Sequence, residues 1–487
     1  MNTPPPRTHY KVTFAVLTVG VGSFALLQSL VTPVLPTIRA ALGTTQTDVT
    51  WVLTAYLLSA SIFTPIMGRL GDMHGKRKLL VIAMAALATG SLIAALAGTL
   101  PVMIVGRVIQ GVGGGVLPLA FGIIRDEFPK AKVPGAVGLV AALTSFGAGV
   151  GTALAGPIVE ALDFRWLFWF PMVMTVIAGI GARLLIPESP IRTEGKINWL
   201  TAFLLSSWLV ALLLGVSQAS NWGWGSTKVI GLLVAAACVA ATWVMAESRS
   251  SNPLIDMTMM RIRTVWAVNV VALLMGVGMY AAFGFLPQFL QTPPSAGYGF
   301  GVSVTQSGLM LLPSSVGMFA LGLASGRLTA RFGSRNLLIT GVIVCATGYF
   351  ALAFRHASEL DIYLIMGFTG IGMGLAFSSM ANVVVGAVPP EQTGVASGMN
   401  TNIRTIGGSI GAAFMATVVA GGTASTELPT EAGYTRGFIT LGAAVTLAAL
   451  AALYIPTTAS RAHKEIHADR AIFTSPGTEA SHRPSRK

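Results

Sequence analysis

Fourteen windows of about 20 apolar residues follow one another along this 487-residue chain, and no other feature narrows its possible folds so far. Within hydrocarbon every backbone amide must be bonded inside the segment, so windows this long and unbroken are read as membrane-spanning helices. They fall at 12–32, 51–70, 79–99, 103–124, 135–157, 166–187, 199–218, 229–246, 265–289, 306–324, 337–354, 362–385, 394–420 and 434–455. Residues that are 53% hydrophobic and only 10% charged, with a mean hydropathy of +0.72, agree that lipid is the solvent. The 56 glycines would weaken helices in water, but in a bilayer small residues let helix backbones approach closely. The first window is no cleaved leader, because it lacks a small-residue cleavage site and further spans follow at once.

The chain also repeats itself. Gly68-Arg69-Leu70-Gly71-Asp72-Met73-His74-Gly75-Lys76-Arg77-Lys78-Leu79-Leu80 returns as Gly326-Arg327-Leu328-Thr329-Ala330-Arg331-Phe332-Gly333-Ser334-Arg335-Asn336-Leu337-Leu338. Each copy is a basic hinge between two apolar spans. The glycine runs Gly111–Gly115 and Gly370–Gly374 are separated by nearly the same interval. One ancestral six-helix unit, duplicated, accounts for both. The fold class expected is therefore an all-α integral membrane protein of fourteen helices, two pseudo-symmetric six-helix bundles plus two inserted helices. Its parts are an N-terminal bundle over 1–187, an insertion carrying spans 7 and 8 over 188–263, and a C-terminal bundle over 264–456. Residues 457–487 form a charged tail without apolar periodicity, read as disordered and cytosolic. A duplicated helical bundle of this kind points to a transporter.

Orientation follows from the cations. With the N-terminus in the cytosol, the 31 Lys and Arg partition as 24 cytosolic, five external (Arg39, Arg165, Lys228, Arg355, Arg436) and two inside spans (Arg107, Arg404). This positive-inside asymmetry puts both termini in the cytosol of a multi-pass protein of the cell (inner or plasma) membrane. It also accounts for the high isoelectric point without nucleic acid, since the charge is spread over many loops. Trp51, Trp166, Trp169, Trp199, Trp222 and Trp224 lie close to span ends, where amphipathic rings favour the interface. Cys238 and Cys345 sit inside spans as small hydrophobes. No cofactor and no metal are expected, and His463 and His467 in the tail are read as solvated.

Several further stretches stand out. Arg107-Val108-Ile109-Gln110-Gly111 sets a guanidinium and an amide inside the fourth span, where a charge is expensive unless it faces a cavity or a partner; snorkelling to the cytosolic interface is the alternative. In the fifth span Gly147, Gly151 and Ala155 recur every four residues on one face, and Pro157 after Gly156 frees a backbone carbonyl.

Together with the first hinge, these stretches resemble the major facilitator superfamily, in particular its fourteen-helix drug:proton antiporter branch, over residues 10–456. The resemblance implies that Gly68, Asp72, Gly75, Lys76 and Arg77 form a conformational switch on the cytosolic side. Asp72 would meet the positive N-terminus of a helix from the opposite half, with span 13 the candidate, and exchange partners with Lys76 or Arg77 as the halves rock. Read without the family, Lys76-Arg77-Lys78 is equally a topology anchor. Arg107 and Gln110 would by resemblance serve proton transfer, and Gly147, Gly151, Gly156 and Pro157 would make up the antiporter motif.

Two departures matter. Glu160-Ala161 replaces the glycine pair expected after Gly156-Pro157, so Glu160 is either a solvated outer-end carboxylate or a coupling site. Leu27 stands where many members of the branch carry an aspartate. All 18 acidic residues fall in loops, at span ends or in the tail, leaving Asp72, Asp126, Glu160 and Asp163 as carriers for proton coupling. Cavity polarity would come from Gln28, Tyr56, Gln110, Asn269, Tyr280, Gln288, Asn382, Asn400, Asn402 and Arg404 as a set, although for any single one a helix-to-helix hydrogen bond is the first reading. The expectation is a monomeric, non-enzymatic exporter of small amphipathic organic compounds, with protons as the counter-substrate and the lipid bilayer as its surroundings. A lipid or glycolipid exporter and an uptake symporter are the alternatives.

Overall fold

The computed structural model describes residues 10–189, 198–250, 252–420 and 429–456. The long helices are α1 (Tyr10–Ser29), α2 (Trp51–His74), α3 (Lys76–Ala95), α4 (Leu100–Glu127), α5 (Val133–Ala161), α6 (Trp166–Leu185) and α7 (Trp199–Ser217). They continue as α8 (Thr227–Arg249), α9 (Arg263–Gln291), α10 (Val304–Phe332), α11 (Ser334–Phe354), α12 (Glu359–Ala387), α13 (Thr393–Ala420) and α14 (Glu431–Leu453). Thirteen helices among the described residues are long and apolar enough to cross a membrane. The 28-residue α13 is not among those thirteen; it occupies the place of the thirteenth expected span. The expected tail, with His463 and His467, lies outside the described residues, as does most of the link between α6 and α7.

The helices gather about two hydrophobic cores. One is built from α1 to α6 around residues such as Leu17, Leu80, Leu119 and Phe168, and the other from α7 and α9 to α14 around Val268, Met318, Phe377 and Phe438. The cores interlock at the seam, where Ile66 of α2 joins the second and Ala381 of α12 joins the first. Helix α8 stands at the periphery, reaching the second core through Trp243. Only 17% of the spanning window of α8 is buried, against 62% for α5, so α8 is dressed for lipid while α5 is sandwiched between helices.

The internal duplication is visible as duplicated contacts. In α4 the run Val112–Gly115 tightens into a 3-10 turn, and a methyl at Gly114 or Gly115 would strike Thr64 or Met67 of α2. In α12 a methyl at Gly370 or Gly374 would strike the backbone of Ser314 or Met318 in α10. At the seam Gly68 of α2 lies on Gly394 of α13, and Gly326 of α10 lies on Gly135 of α5. Each hinge turns on a glycine at positive φ, Gly75 (108°) and Gly333 (76°), a backbone shape that side chains resist.

Candidate functional site

Both hinges lie on one face of the bundle, and on this hinge face the N-terminal half grips its neighbour through two charges. Asp72, fully buried at the end of α2, accepts a hydrogen bond from the Val395 amide through Oδ2 at 3.1 Å. Val395 lies in the first turn of α13, so the carboxylate occupies the positive end of that helix, the partner anticipated for it. Arg125, in the last turn of α4, does the converse. Its guanidinium donates to the Val385 carbonyl at 2.5 Å and the Val388 carbonyl at 2.8 Å, at the negative end of α12, and to Thr393 Oγ1 at 2.7 Å. One half thus supplies an anion to a helix start and a cation to a helix end, either side of one turn.

Lys76 links this grip to the hinge. Its ammonium, with no exposure, stands 2.7 Å from Asp126 and 3.6 Å from Asp72. Asp126 also accepts the Ser189 hydroxyl. A lysine buried between two carboxylates has a second partner ready when the first is withdrawn. Gly122 makes room for it, since a methyl there would meet the Lys76 stem at 2.6 Å. Glu188 closes the start of α3, accepting from the amides of Arg77 (3.1 Å) and Lys78 (3.2 Å) and pairing with the Arg77 guanidinium at 3.5 Å.

The second hinge keeps the shape and the arginines Arg327, Arg331 and Arg335, but not the acid or the lysine. Ala330 replaces Asp72, and Val384 and Val385 stand at the end of α12 where α4 ends in Arg125-Asp126. Across this seam Asn382 donates to the Pro134 carbonyl at 3.0 Å. That places one of the expected cavity residues in an inter-half bond.

Toward the opposite face, Arg107 is fully buried. Its Nε donates to the Val52 carbonyl at 3.0 Å, one terminal nitrogen donates to Gln110 Oε1 at 2.7 Å, and the guanidinium lies 4.4 Å above the Tyr56 ring. Gln110 in turn donates to Ser91 Oγ. Val52 is in the first turn of α2, at the far end from the hinge, which rules out snorkelling toward the hinge face. The other terminal nitrogen of Arg107 has no hydrogen-bond partner, and its bonds run to a carbonyl and an amide, not to a carboxylate.

The glycines of α5 serve two neighbours. Gly147 and Gly151 face α1, where a methyl would strike Ala25 and Ser29; Ser29 Oγ donates to the Gly147 carbonyl at 3.1 Å. Gly149 and Gly156 face α10 at Ser315 and Thr305. Pro157 lies within α5 one turn before Glu160. Glu160 ends the α10-facing row, its carboxylate 3.4 Å from the Thr305 hydroxyl and exposed. It shares none of the partners of Arg107, which lie on α2 and α4.

The expected cavity residues divide. Asn400 donates to Asn269 Oδ1 at 2.9 Å, tying α13 to α9. Arg404 and Asn400 line a narrow cleft between the halves, with Phe121 and Thr144 from one side and Phe377, Ser397 and Thr401 from the other. Tyr280 packs against Gly408 and lies near both Arg404 and Tyr56. Gln28 and Asn402 are not among the lining residues, and Gln288 is exposed near the end of α9. Leu27 is fully buried in the N-terminal core.

Arg125, Glu188 and Ser189 were missed by sequence reasoning. An arginine beside an acid at a span end was a signal for the first; the others carried none.

Two interlocked helical bundles with a polar cleft between them and a charged clasp at one face define a multi-pass membrane transporter. The chain matches the model of the Major Facilitator Superfamily over residues 17–412, and it belongs to that family. It is 30% identical over 372 residues to the "Multidrug transporter protein MdtP" of Bacillus subtilis (strain 168), covering 74% of this chain and 66% of that one. It is 28% identical over 406 residues to the "Tetracenomycin C resistance and export protein" of Streptomyces glaucescens, covering 82% of this chain and 74% of the relative. The chain therefore spans about two thirds to three quarters of these relatives' lengths. Its fold is similar to the crystal structure of the human organic anion transporter MFSD10 (TETRAN), with a TM-score of 0.67 at 17% identity, covering 92% of this chain and 100% of that one. The protein is a transporter, not an enzyme.

Proposed function

We propose that this protein exports amphipathic organic compounds across the cell membrane in exchange for protons, by alternating access between two six-helix halves. Helices α1–α6 and α9–α14 are the halves, α7 and α8 the insertion, and all fourteen long helices span. Both termini and the hinge face are cytosolic, in keeping with the cation count, and the protein acts as a monomer.

The observation that carries this reading is the clasp on the α12–α13 turn. Asp72 and Arg125 hold the ends of two helices of the other half through hydrogen bonds that rigid-body motion can break. Lys76 stands beside Asp72 to receive it when they do. A fixed seam would be built from apolar packing; a switch needs partners of near-equal energy. Outward direction and amphipathic cargo are supported by the names of the multidrug and tetracenomycin relatives. Arg107, Gln110 and Tyr56 form the polar centre on which proton transfer depends, and Glu160 at the outer end of α5 is the second coupling candidate.

The test is substrate-dependent proton flux in proteoliposomes under an imposed pH gradient, with wild type beside Arg107→Ala and Glu160→Gln. Export that rises with the gradient and fails in Arg107→Ala is expected. Failure in Glu160→Gln with activity in Arg107→Ala moves coupling to the end of α5. Transport indifferent to the gradient in all three removes proton antiport, and net uptake turns the protein into a symporter.

A further inference from the structure

Arg404 is the residue that the proposed mechanism leaves without a task. It lies 11 positions into α13, about 16 Å along the helix from its start, and so near the middle of a membrane-spanning segment. Its guanidinium lies 5.0 Å from the Phe377 ring, Nε is buried without a hydrogen-bond partner, and no ion pair reaches it among the described residues. Structural arginines in this molecule look different. Arg125 makes three hydrogen bonds and Arg77 pairs with Glu188.

The surroundings repeat the signal. Ser397, one helical turn before Asn400 on the same cleft wall, is buried at 3% exposure with its hydroxyl unpartnered. Thr401 and Thr144 add hydroxyls from the two sides of the cleft, and Phe377 adds a ring. Beyond Tyr280 and Tyr56 lies Arg107, whose spare terminal nitrogen is also unpartnered. The acids on the lining helices sit at their ends: Asp126 and Glu127 on α4, Glu160 on α5, Glu359 and Asp361 on α12, none on α13. The cleft wall therefore carries one guanidinium, with a second beyond the two tyrosines, and the lining helices offer no acid except at their ends.

Such an arrangement is costly while the cleft is empty and becomes favourable when an anion enters, because a guanidinium offers five donors in a planar fork and hydrocarbon screens nothing. An organic cation would meet only repulsion there. We infer that the cleft, only about 10 Å³ in this arrangement and so admitting cargo once the halves part, takes amphipathic organic anions, carboxylates or acidic phenols with an aromatic body, and that Arg404 is the residue that binds the charged group, with Ser397 and Thr401 completing its hydrogen bonds and Phe377 stacking on the apolar part. This inference rests on the export reading above and names the charge of its cargo.

Three probes sharing one naphthalene body test it: the carboxylate, its methyl ester and a trimethylammonium analogue. Binding to purified full-length protein in detergent is read by tryptophan quenching, and efflux of the same probes is read from loaded proteoliposomes. Wild type should bind the carboxylate at least about tenfold more tightly than the ester, as a charge-assisted bidentate contact would give, and the ammonium most weakly. In Arg404→Gln the carboxylate-to-ester ratio should fall to about one, and in Arg404→Lys part of it should survive. Equal binding of the three probes by wild type, preference for the ammonium, or a preference that survives Arg404→Gln would each overturn the assignment. Should Arg404→Gln bind nothing, Arg404→Lys decides: carboxylate preference supports the site and its loss defeats it. Efflux separates the two readings. Preferential binding of the carboxylate without efflux of any probe leaves the anion site standing and removes export, whereas equal efflux of all three keeps export and removes the anion site.

Discussion

The two hinges share a backbone and differ in chemistry. Gly68 and Gly326 both touch a glycine of the other half, and Gly75 and Gly333 both turn with positive φ, so the duplicated loops have kept their geometry. Around the first stand Asp72, Lys76, Asp126, Arg125 and Glu188; in the second copy Ala330 and Ser334 replace Asp72 and Lys76, and the end of α12 carries no charge at Val384, Val385 or Gly386. A methyl on Gly75 would lie 2.5 Å from the Glu188 carboxylate, while nothing lies within 4 Å of Gly333. The difference teaches that the symmetric part of the molecule is packing and the asymmetric part is electrostatics. Helix contact is needed twice to hold two bundles together. A clasp on the hinge face is needed once.

The comparison breaks most readily at Asp72. Asp72→Asn should reduce transport to near background at unchanged membrane abundance, because the amide cannot neutralise the start of α13 or pair with Lys76; Ala330→Asn should keep most of it. Counterflow per molecule of protein is the measure. Equal activity of Asp72→Asn and wild type would reduce the hinge to a topology signal.

Arg125→Gln comes next. Loss of hydrogen bonds from a charged donor to helix-end carbonyls, each worth about 1.5–3 kcal/mol, should loosen the hinge face and raise thiol labelling at a cysteine introduced at Val388. Ala330→Gln, at the exposed position of the second hinge that matches Asp72, should leave labelling of the same site within about twofold. No change in Arg125→Gln would show that α2 and α13 hold the face shut by themselves.

A smaller contrast is expected between the turning glycines. Gly333→Ala should cost about 2 kcal/mol, because φ 76° with ψ 148° is a backbone shape that only glycine adopts readily, read as a fall in melting temperature in detergent. Gly75→Ala should cost more, since its methyl also displaces Glu188. Equal shifts would mean that Glu188 moves aside freely.

Smallest is Glu188→Gln. The amide oxygen still accepts from one of the Arg77 and Lys78 amides, but the NH2 in place of the other oxygen cannot, so one hydrogen bond is lost with the charge; with Arg77 37% exposed the effect should stay at about 1 kcal/mol. It should also shrink with added salt. A loss of transport comparable to Asp72→Asn would make this strap part of the switch.

Most of the architecture was legible in the chain because membrane insertion reads local hydrophobicity. Each span must satisfy its own backbone, so helix positions follow from windows of about 20 residues, and the near-equal spacing of the hinges and glycine runs exposed the duplication. Asp72 could be directed to the start of α13 because a helix N-terminus attracts an anion wherever it lies. Other contacts depended on neighbours distant in sequence. Arg125 was one more cation at a span end until α12 and α13 were laid against it. The glycines of α5, seen as one face by their four-residue spacing, divide between α1 and α10. Arg107 was expected to face a cavity or a partner, and which partners it has, a carbonyl, an amide and a ring, came from the packing of α2 on α4.

By itself, then, the sequence determined the solvent, the helices, the duplication and the place of the hinge, all of which follow from apolar length, glycine positions and repeated spacing along one strand of chain. Only the tertiary structure decided which buried charges are satisfied and which are left waiting. Charge satisfaction depends on atoms within about 4 Å in space, and those around Asp72, Arg125, Arg107 and Arg404 come from helices up to 323 residues away.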